Sequence, residues 1–196
     1  MIINANVQGS VSPQAVWVRY VENGTAVVRL TQNVTTSKDA NGNTVYNYEE
    51  IEVQVPDMPD LATYLTANAS FYWDQALAEA KAQQIVVLGA ALEAQYAQGF
   101  TSTALGNSLV FPFDAQSQMK WSWLQGVVNS TTATTFPASV QVKDINGNVY
   151  TVTYTQAQQL VNDAMGFFLT WDSHEHTLVD SANAAQTIPD VFAVGW

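Results

Sequence analysis

Histidine chemistry in this chain would have to come from two residues near its C-terminus. His174 and His176 flank Glu175, and Asp172 lies just upstream. Residues two apart on a helix point to different sides, so one chain cannot hold a metal ion between these imidazoles. Imidazoles from several copies could still form a metal-binding ring on a three-fold axis. We therefore predict no metal within one chain, and whether His174 or His176 binds a metal in an oligomer stays open.

Paired carboxylates would be the machinery of a glycoside hydrolase. Glu49, Glu50 and Glu52 lie on one predicted strand, whose alternation separates Glu49 from the other two. A solvated strand face explains this cluster. The sequence has no G-x-S-x-G, H-E-x-x-H, P-loop or G-x-G-x-x-G pattern. We therefore predict no catalytic residues and no cofactor, and we expect that the protein is not an enzyme.

Two loops have a composition that suggests calcium binding. Residues 39–43 (DANGN) and 144–148 (DINGN) are near copies of each other. A calcium loop of the EF-hand type has its glycine in sixth place and a closing bidentate glutamate. Here the glycine comes fourth and no glutamate closes either loop. Because Asn-Gly favours tight hairpin turns, we predict two β-hairpin turns instead.

Aromatic residues are the most informative class in this sequence. Six Trp, eight Tyr and eight Phe make up 11% of the chain. Exposed rings would suit stacking on sugars or anchoring a protein interface, whereas buried rings would form a core. Trp121 and Trp123 are two residues apart and Trp196 is terminal, and the spacing does not separate these alternatives. A glycan therefore stays among the partners to be tested.

Charge and cysteine content exclude several classes of protein. Six Lys+Arg against 17 Asp+Glu give a formal net charge of -11, which provides no basic surface for nucleic acid or an anionic membrane. The absence of cysteine removes disulfides, thiolate catalysis and cysteine-ligated metals. The longest apolar run, residues 85–92, is far shorter than the roughly 20 residues that span a bilayer. We expect no signal peptide and no membrane insertion.

The elements that would position these residues begin with β-structure. Residues 16–21 and 25–30 are rich in β-branched and aromatic side chains and flank Asn23-Gly24, so they predict a hairpin. A second hairpin turns at residues 39–43 and returns along residues 44–55. Prolines at 56 and 59 end that strand, because proline cannot join a central ladder.

Helices dominate the remainder of the chain. Asp60 is a predicted N-cap for a short helix to Ala67, and a long helix follows over residues 70–98. Asp114 caps a third helix, and the capping-box residues Thr155 and Gln158 open the last one.

A hairpin is predicted over residues 139–153, between the third and last helices. The fold class is thus α+β, with a small N-terminal antiparallel β module followed by a helical domain with an inserted β-hairpin. We predict two domains, residues 1–57 and residues 58–196.

Apolar stripes on the predicted helices indicate an oligomer. Two stripes run along the helix of residues 70–98, and two stripes need two packing partners, a core and a second subunit. The last helix repeats apolar residues at spacings of four and three, which is typical of helix–helix packing. We predict a homo-oligomer, with a trimer favoured. The candidate interface residues are Trp73, Leu77, Val87, Phe167, Trp171 and Leu178.

Five short motifs follow the long helix in a fixed order. They are GFTSTALG at 99–106, FPFDAQSQ at 111–118, VKDINGN at 142–148, TQAQ at 155–158 and AAQT at 184–187, before the final Gly195-Trp196. In order and spacing they resemble the uncharacterised domain that closes many short bacteriophage tail and tail-fibre-associated proteins. The likeness covers residues 61–196. Members of that domain end on a strand that carries Ile or Val and a final Trp.

This resemblance implies a structural component of a bacteriophage tail, tail fibre or baseplate. Such a component acts in virion assembly or host attachment through contacts with other tail or fibre proteins, and it is assembled in the host cytoplasm and located in the virion. Two alternatives stay open: a tail-fibre assembly chaperone that is absent from the mature virion, and a sugar-binding module that recognises a host-surface glycan. The family has no catalytic residues to carry over.

Overall fold

The computed structural model describes residues 1–196 of the chain. A four-stranded antiparallel sheet at the N-terminus is followed by a mostly helical region that contains two short hairpin sheets. The predicted α+β class is therefore confirmed. No helix combines the length and the apolar character needed to cross a bilayer.

Four strands form the N-terminal sheet: β1 (Ile2–Gly9), β2 (Val16–Glu22), β3 (Thr25–Lys38) and β4 (Thr44–Pro56). Their order across the sheet is β1-β4-β3-β2, so β1 and β2 are the edge strands. Asn23 (φ 51°) and Gly24 (φ 73°) form the predicted tight turn between β2 and β3. No individual strand is predicted before residue 16, although β1 alternates exposed and half-buried side chains, which is the pattern of a strand with one covered face.

Five helices follow the sheet: α1 (Leu61–Ala67), α2 (Ala69–Gln98), α3 (Ala115–Ser130), α4 (Tyr154–Ala184) and α5 (Ile188–Ala193). Two hairpins lie between them: β5 (Phe100–Ser102) pairs with β6 (Leu109–Phe111), and β7 (Gln141–Lys143) pairs with β8 (Val149–Thr151). The sequence predicts the β7–β8 hairpin but only one strand, residues 109–111, of the other.

Two compact units divide the chain. The first comprises residues 1–85 and 180–195, and the second comprises residues 86–179 and Trp196. The predicted boundary after residue 57 falls at the end of the sheet, whereas the first unit also includes α1, part of α2 and α5. The physical reason is that one face of the sheet is apolar and takes its cover from helices.

The core of the first unit lies between that apolar sheet face and those helices. The sheet contributes small and branched side chains from its two central strands: Ala26, Val28, Leu30, Ile51, Val53 and Val55. The helices contribute Leu61, Leu65, Ala76, Ala80, Ile188 and Val191. Burial of these apolar surfaces supplies the main stabilisation of the unit, at about 25 cal/mol per Å² removed from water.

Aromatic rings dominate the core of the second unit. Phe100 and Phe111, paired across the β5–β6 hairpin, lie with their ring centroids 5.0 Å and 5.9 Å from that of Trp121. Gly99 precedes this hairpin with a φ of +75°, and a Cβ at this position would lie 2.2 Å from the Phe111 carbonyl oxygen. Glycine is therefore required both to end α2 and to let the chain approach β6.

Helix starts agree with the sequence to different degrees. Asp114 caps α3 as predicted, because its Oδ1 accepts a hydrogen bond from the Ser117 amide at 2.9 Å. Asp60 occupies the N-cap of α1, but its φ is 57° and its side chain makes no capping hydrogen bond.

The capping box of α4 lies two residues earlier than predicted. The Thr153 amide donates to Gln156 Oε1 at 2.9 Å, and the Gln156 amide donates to Thr153 Oγ1 at 3.4 Å. The predicted pair, Thr155 and Gln158, has the same spacing in an overlapping frame. Because β8 ends at Thr151, the chain turns into the helix at the first of the two boxes.

The chain ends on a helix and not on the strand that the phage-domain resemblance implies. Thr187 caps α5 by accepting a hydrogen bond from the Asp190 amide at 3.2 Å, and Pro189 lies in the first turn, where its missing N–H costs nothing. Ile188 and Val191 are buried in the core of the first unit. In a helix, the backbone N–H and C=O groups of this segment form hydrogen bonds with one another, so the segment needs no strand partner.

Candidate functional site

Most of the predicted interface residues have packing roles inside the chain. Five of the six are half-buried: Trp73, Leu77, Phe167, Trp171 and Leu178. The first two pack against the core of the first unit, and Phe167 and Trp171 pack against the core of the second. Val87 is different, because it is 56% exposed and lies beside the more exposed Val86 on α2. Their participation in an interface stays a prediction, and Val87 is the residue most available for it.

The edge strand β2 is the most apolar exposed segment of the first unit. Trp17, Val18, Tyr20 and Val21 are between 37% and 50% exposed, and the register of β2 with β3 shifts between Val18 and Tyr20. β2 pairs with β3 on one side only, so its other side presents backbone N–H and C=O groups without a strand partner in this chain. An exposed apolar edge of this kind is a template for pairing with another chain.

An ion-pair network lies on the same sheet face as Trp17. The Arg29 guanidinium lies 3.5 Å from Glu50 and 3.4 Å from Glu52, and it sits 5.4 Å from the centre of the Trp17 ring. Arg19 forms a closer ion pair with Glu52, at 2.9 Å. These contacts fix the side chains of the sheet face behind β2, and they occupy one face of the Trp17 ring.

The glutamate cluster is not the solvated strand face that the sequence predicts. Glu49 and Glu50 are both buried. Glu49 accepts hydrogen bonds from Gln32 Nε2 at 3.0 Å and Asn33 Nδ2 at 2.7 Å. A bulge in β3, where Asn33 has a φ of 54°, brings both amides to this carboxylate. The sequence misses this burial because the bulge and the partners come from another strand.

The two histidines have different neighbours. The His174 ring lies 4.8 Å from Trp196 and 6.2 Å from Trp171, measured between centroids. His176 Nδ1 lies 3.4 Å from an Asp172 carboxylate oxygen, one helical turn away. No three His, Cys, Asp or Glu side chains come together as metal ligands. Metal binding by these imidazoles in an oligomer stays untested.

Both asparagine-rich loops are hairpin turns, as predicted. Asp39 accepts hydrogen bonds from the Asn43 side chain and from the Asn41 and Asn43 amides, and these bonds hold the pKa of Asp39 below its usual value. The Asn148 side chain donates a hydrogen bond to Asp144 and is the main cause that holds the pKa of Asp144 below its usual value. These carboxylate oxygens are therefore engaged within the turns.

The structure separates the two neighbouring tryptophans of α3. Trp121 is buried and donates its indole N–H to the Pro112 carbonyl at 2.8 Å. Trp123 is 60% exposed and has no ring partner. It lines a groove of about 360 Å³ between α3 and the β7–β8 hairpin. The helical angle between positions two apart explains why the two side chains have different environments.

The motifs that resemble the phage domain have architectural roles in this structure. Gly99 ends a helix, Phe100 and Phe111 pack in the core, and Asp114 and Asp144 cap a helix and close a turn. None of these motif residues forms a polar cleft. Comparisons with protein-family models, with curated proteins and with solved structures found no match to this chain. The resemblance therefore stays a prediction.

Proposed function

We propose that this chain is a non-catalytic structural component of a bacteriophage tail, tail fibre or baseplate, and that it works by protein–protein contact as a homo-oligomer. The observation that carries the proposal is the edge strand β2, with four large apolar side chains exposed along an unpaired edge. The phage assignment rests on the order of the motifs between residues 99 and 196.

Sheet extension is the mode of contact that this geometry favours. The sheet has two edge strands, β1 and β2, and they run in opposite directions because every neighbouring pair is antiparallel. A β2 strand that lies beside β1 of the next copy would therefore continue the antiparallel pattern. Repeated contacts of this head-to-tail kind form a closed ring when the rotation between copies permits it. A trimer is the closed assembly that we propose.

Light scattering coupled to gel filtration tests this proposal on the purified chain. We expect a mass about three times the 21.4 kDa of one chain. Val21→Lys should reduce that mass to the monomer, because lysine on an edge strand opposes strand pairing. Met119→Lys is the matched control, because Met119 is exposed on α3 and far from the edge in sequence, so its variant should keep the wild-type mass.

A monomeric wild-type protein at high concentration would overturn the proposal. A mass of two chains would overturn the trimer and would indicate a twofold contact between the β2 strands of two copies, in place of the β1–β2 contact. The location is tested separately by mass spectrometry of purified phage particles. We expect the chain in the particle, and its presence only in the unassembled lysate would assign it to a fibre-assembly chaperone.

A further inference from the structure

The groove between α3 and the β7–β8 hairpin has the features of a small-ligand site. Its volume, about 360 Å³, is within the range of ligand-binding pockets, roughly 300–1,000 Å³. Apolar side chains form its floor, among them Trp121, Leu124 and Val142, which are all buried. The exposed indole of Trp123 lies at its wall. A flat aromatic surface beside a half-open pocket suits the apolar face of a ring.

Both cationic side chains of the second unit line this one groove. Residues 86–179 contain two lysines, no arginine and six acidic residues. Lys120 comes from α3 and Lys143 from β7, so each of the two elements that flank the groove contributes one lysine to its lining. Neither lysine has an ion pair or a hydrogen bond within the chain. In a protein of net charge -11, two lysines on one groove are a local concentration of positively charged side chains.

Asp114 and Asp144 are the acidic residues nearest to these lysines along the chain, and both accept hydrogen bonds from other residues. Asp114 accepts hydrogen bonds from the amide and hydroxyl of Ser117. Asp144 is buried, and its oxygens accept hydrogen bonds from Asn148 and Tyr150. Lys120 also helps to lower the pKa of Asp114 by its charge, but neither carboxylate forms an ion pair with Lys120 or Lys143, so both ammonium groups can still contact an anion from outside the chain.

We propose that this groove binds an acidic saccharide, with the sugar ring against Trp123 and its carboxylate between Lys120 and Lys143. Each of the two oxygens of a carboxylate can accept a hydrogen bond from one ammonium group, whereas a nucleic acid or polyphosphate would meet the strongly negative charge of the rest of the protein. Gln141, also at the groove, provides an amide that can bond to ring hydroxyls. The proposal is independent of assembly through β2, which belongs to the first unit.

Calorimetric titration with two matched ligands tests this site. Methyl glucuronide and methyl glucoside share a ring and differ by a carboxylate against a hydroxymethyl group. We expect the wild-type protein to bind the glucuronide about tenfold more tightly, through charge-assisted hydrogen bonds. That preference should shrink between about 0.01 M and about 0.1 M ionic strength, as the Debye length falls from about 30 Å to about 10 Å.

Three variants assign the effect to the groove. The double variant Lys120→Gln/Lys143→Gln should lose the preference for the glucuronide. Trp123→Ala should reduce the affinity for both ligands by about tenfold. Lys38→Gln, which removes one exposed charge from the first unit, should bind like the wild type. Circular dichroism verifies that each variant is folded.

Absence of glucuronide binding at millimolar concentration would overturn the proposal. Equal binding of the two ligands, or a preference that survives in the double variant, would overturn it as well. Tighter binding of uridine monophosphate than of the glucuronide would reassign the groove to a nucleotide. None of these outcomes bears on the oligomeric mass, so the failure of this site and the failure of the assembly proposal are distinguishable.

Discussion

Replacing Gly99 with alanine tests the strictest local requirement in the fold. Gly99 has a φ of +75°, and alanine in this region costs about 1–2 kcal/mol. The added Cβ would lie 2.2 Å from the Phe111 carbonyl oxygen, so the backbone of the β5–β6 hairpin has to move, at a further cost of about 1–3 kcal/mol. We therefore expect Gly99→Ala to lower the free energy of unfolding by about 3 kcal/mol.

Gly89 is the matched control, because it lies in the middle of α2 and a Cβ there meets no atom within 4 Å. Gly89→Ala should raise the free energy of unfolding by about 1 kcal/mol through helix propensity. The two variants then differ by about 4 kcal/mol, which is about 2 M in the urea midpoint for a slope of about 2 kcal/mol/M. Tryptophan fluorescence during a urea titration measures the unfolding midpoint of each variant. Equal midpoints for the two variants would refute the reasoning.

Three further predictions concern buried and titrating groups. The Tyr96 hydroxyl is buried without a hydrogen-bond partner, and burial raises the pKa of Tyr96 to about 12. Tyr96→Phe should therefore raise the free energy of unfolding by about 1 kcal/mol, measured by urea titration. A lower urea midpoint in the variant would indicate that the hydroxyl has a partner. Trp121→Ala should lower the free energy of unfolding by about 3–5 kcal/mol in the same titration, whereas Trp123→Ala should change it by less than about 0.5 kcal/mol. Similar losses in the two variants would contradict the placement of Trp121 in the core and of Trp123 at the groove surface. Hydrogen bonds lower the folded-state pKa of Asp39 and Asp144 below 3.8, so their stabilisation is fully present above pH 3.8 and is lost as the pH falls from there through the lower folded-state pKa. The melting temperature should therefore fall less between pH 6 and about pH 2.5 in Asp144→Asn than in the wild type. An equal fall in the two proteins would exclude the Asp144 carboxylate as a cause of acid destabilisation.

Local chemistry accounts for the parts of the fold that the sequence predicts. Asn23-Gly24 specifies its turn because both residues tolerate positive φ, and Asp114 specifies a helix start through one side-chain hydrogen bond. Each of these signals is complete within four residues. The long helix α2 is predictable for a related reason, since it contains no proline and Gly99 follows its last residue, whereas Gly89 inside it costs only about 1 kcal/mol.

Features that depend on distant residues could not be predicted in this way. Burial of Glu49 needs the bulge in β3, and the cover of the sheet face needs α5 from the other end of the chain. Strand order is equally non-local, so the sequence of residues 16–22 predicts a strand without indicating that it lies at an edge. The Trp123 groove needs Lys143, which is 20 residues away in sequence from the indole.

Amide hydrogen exchange along β2 reports on the backbone edge through which the copies are proposed to pair. The measurement compares the amides of residues 16–22 at low and at high protein concentration. The outward-pointing amides of an unpaired edge exchange fast, and pairing with another strand protects them. The account predicts protection that increases with concentration in the wild type and is absent in Val21→Lys. Exchange of these amides that stays fast at every concentration would contradict it.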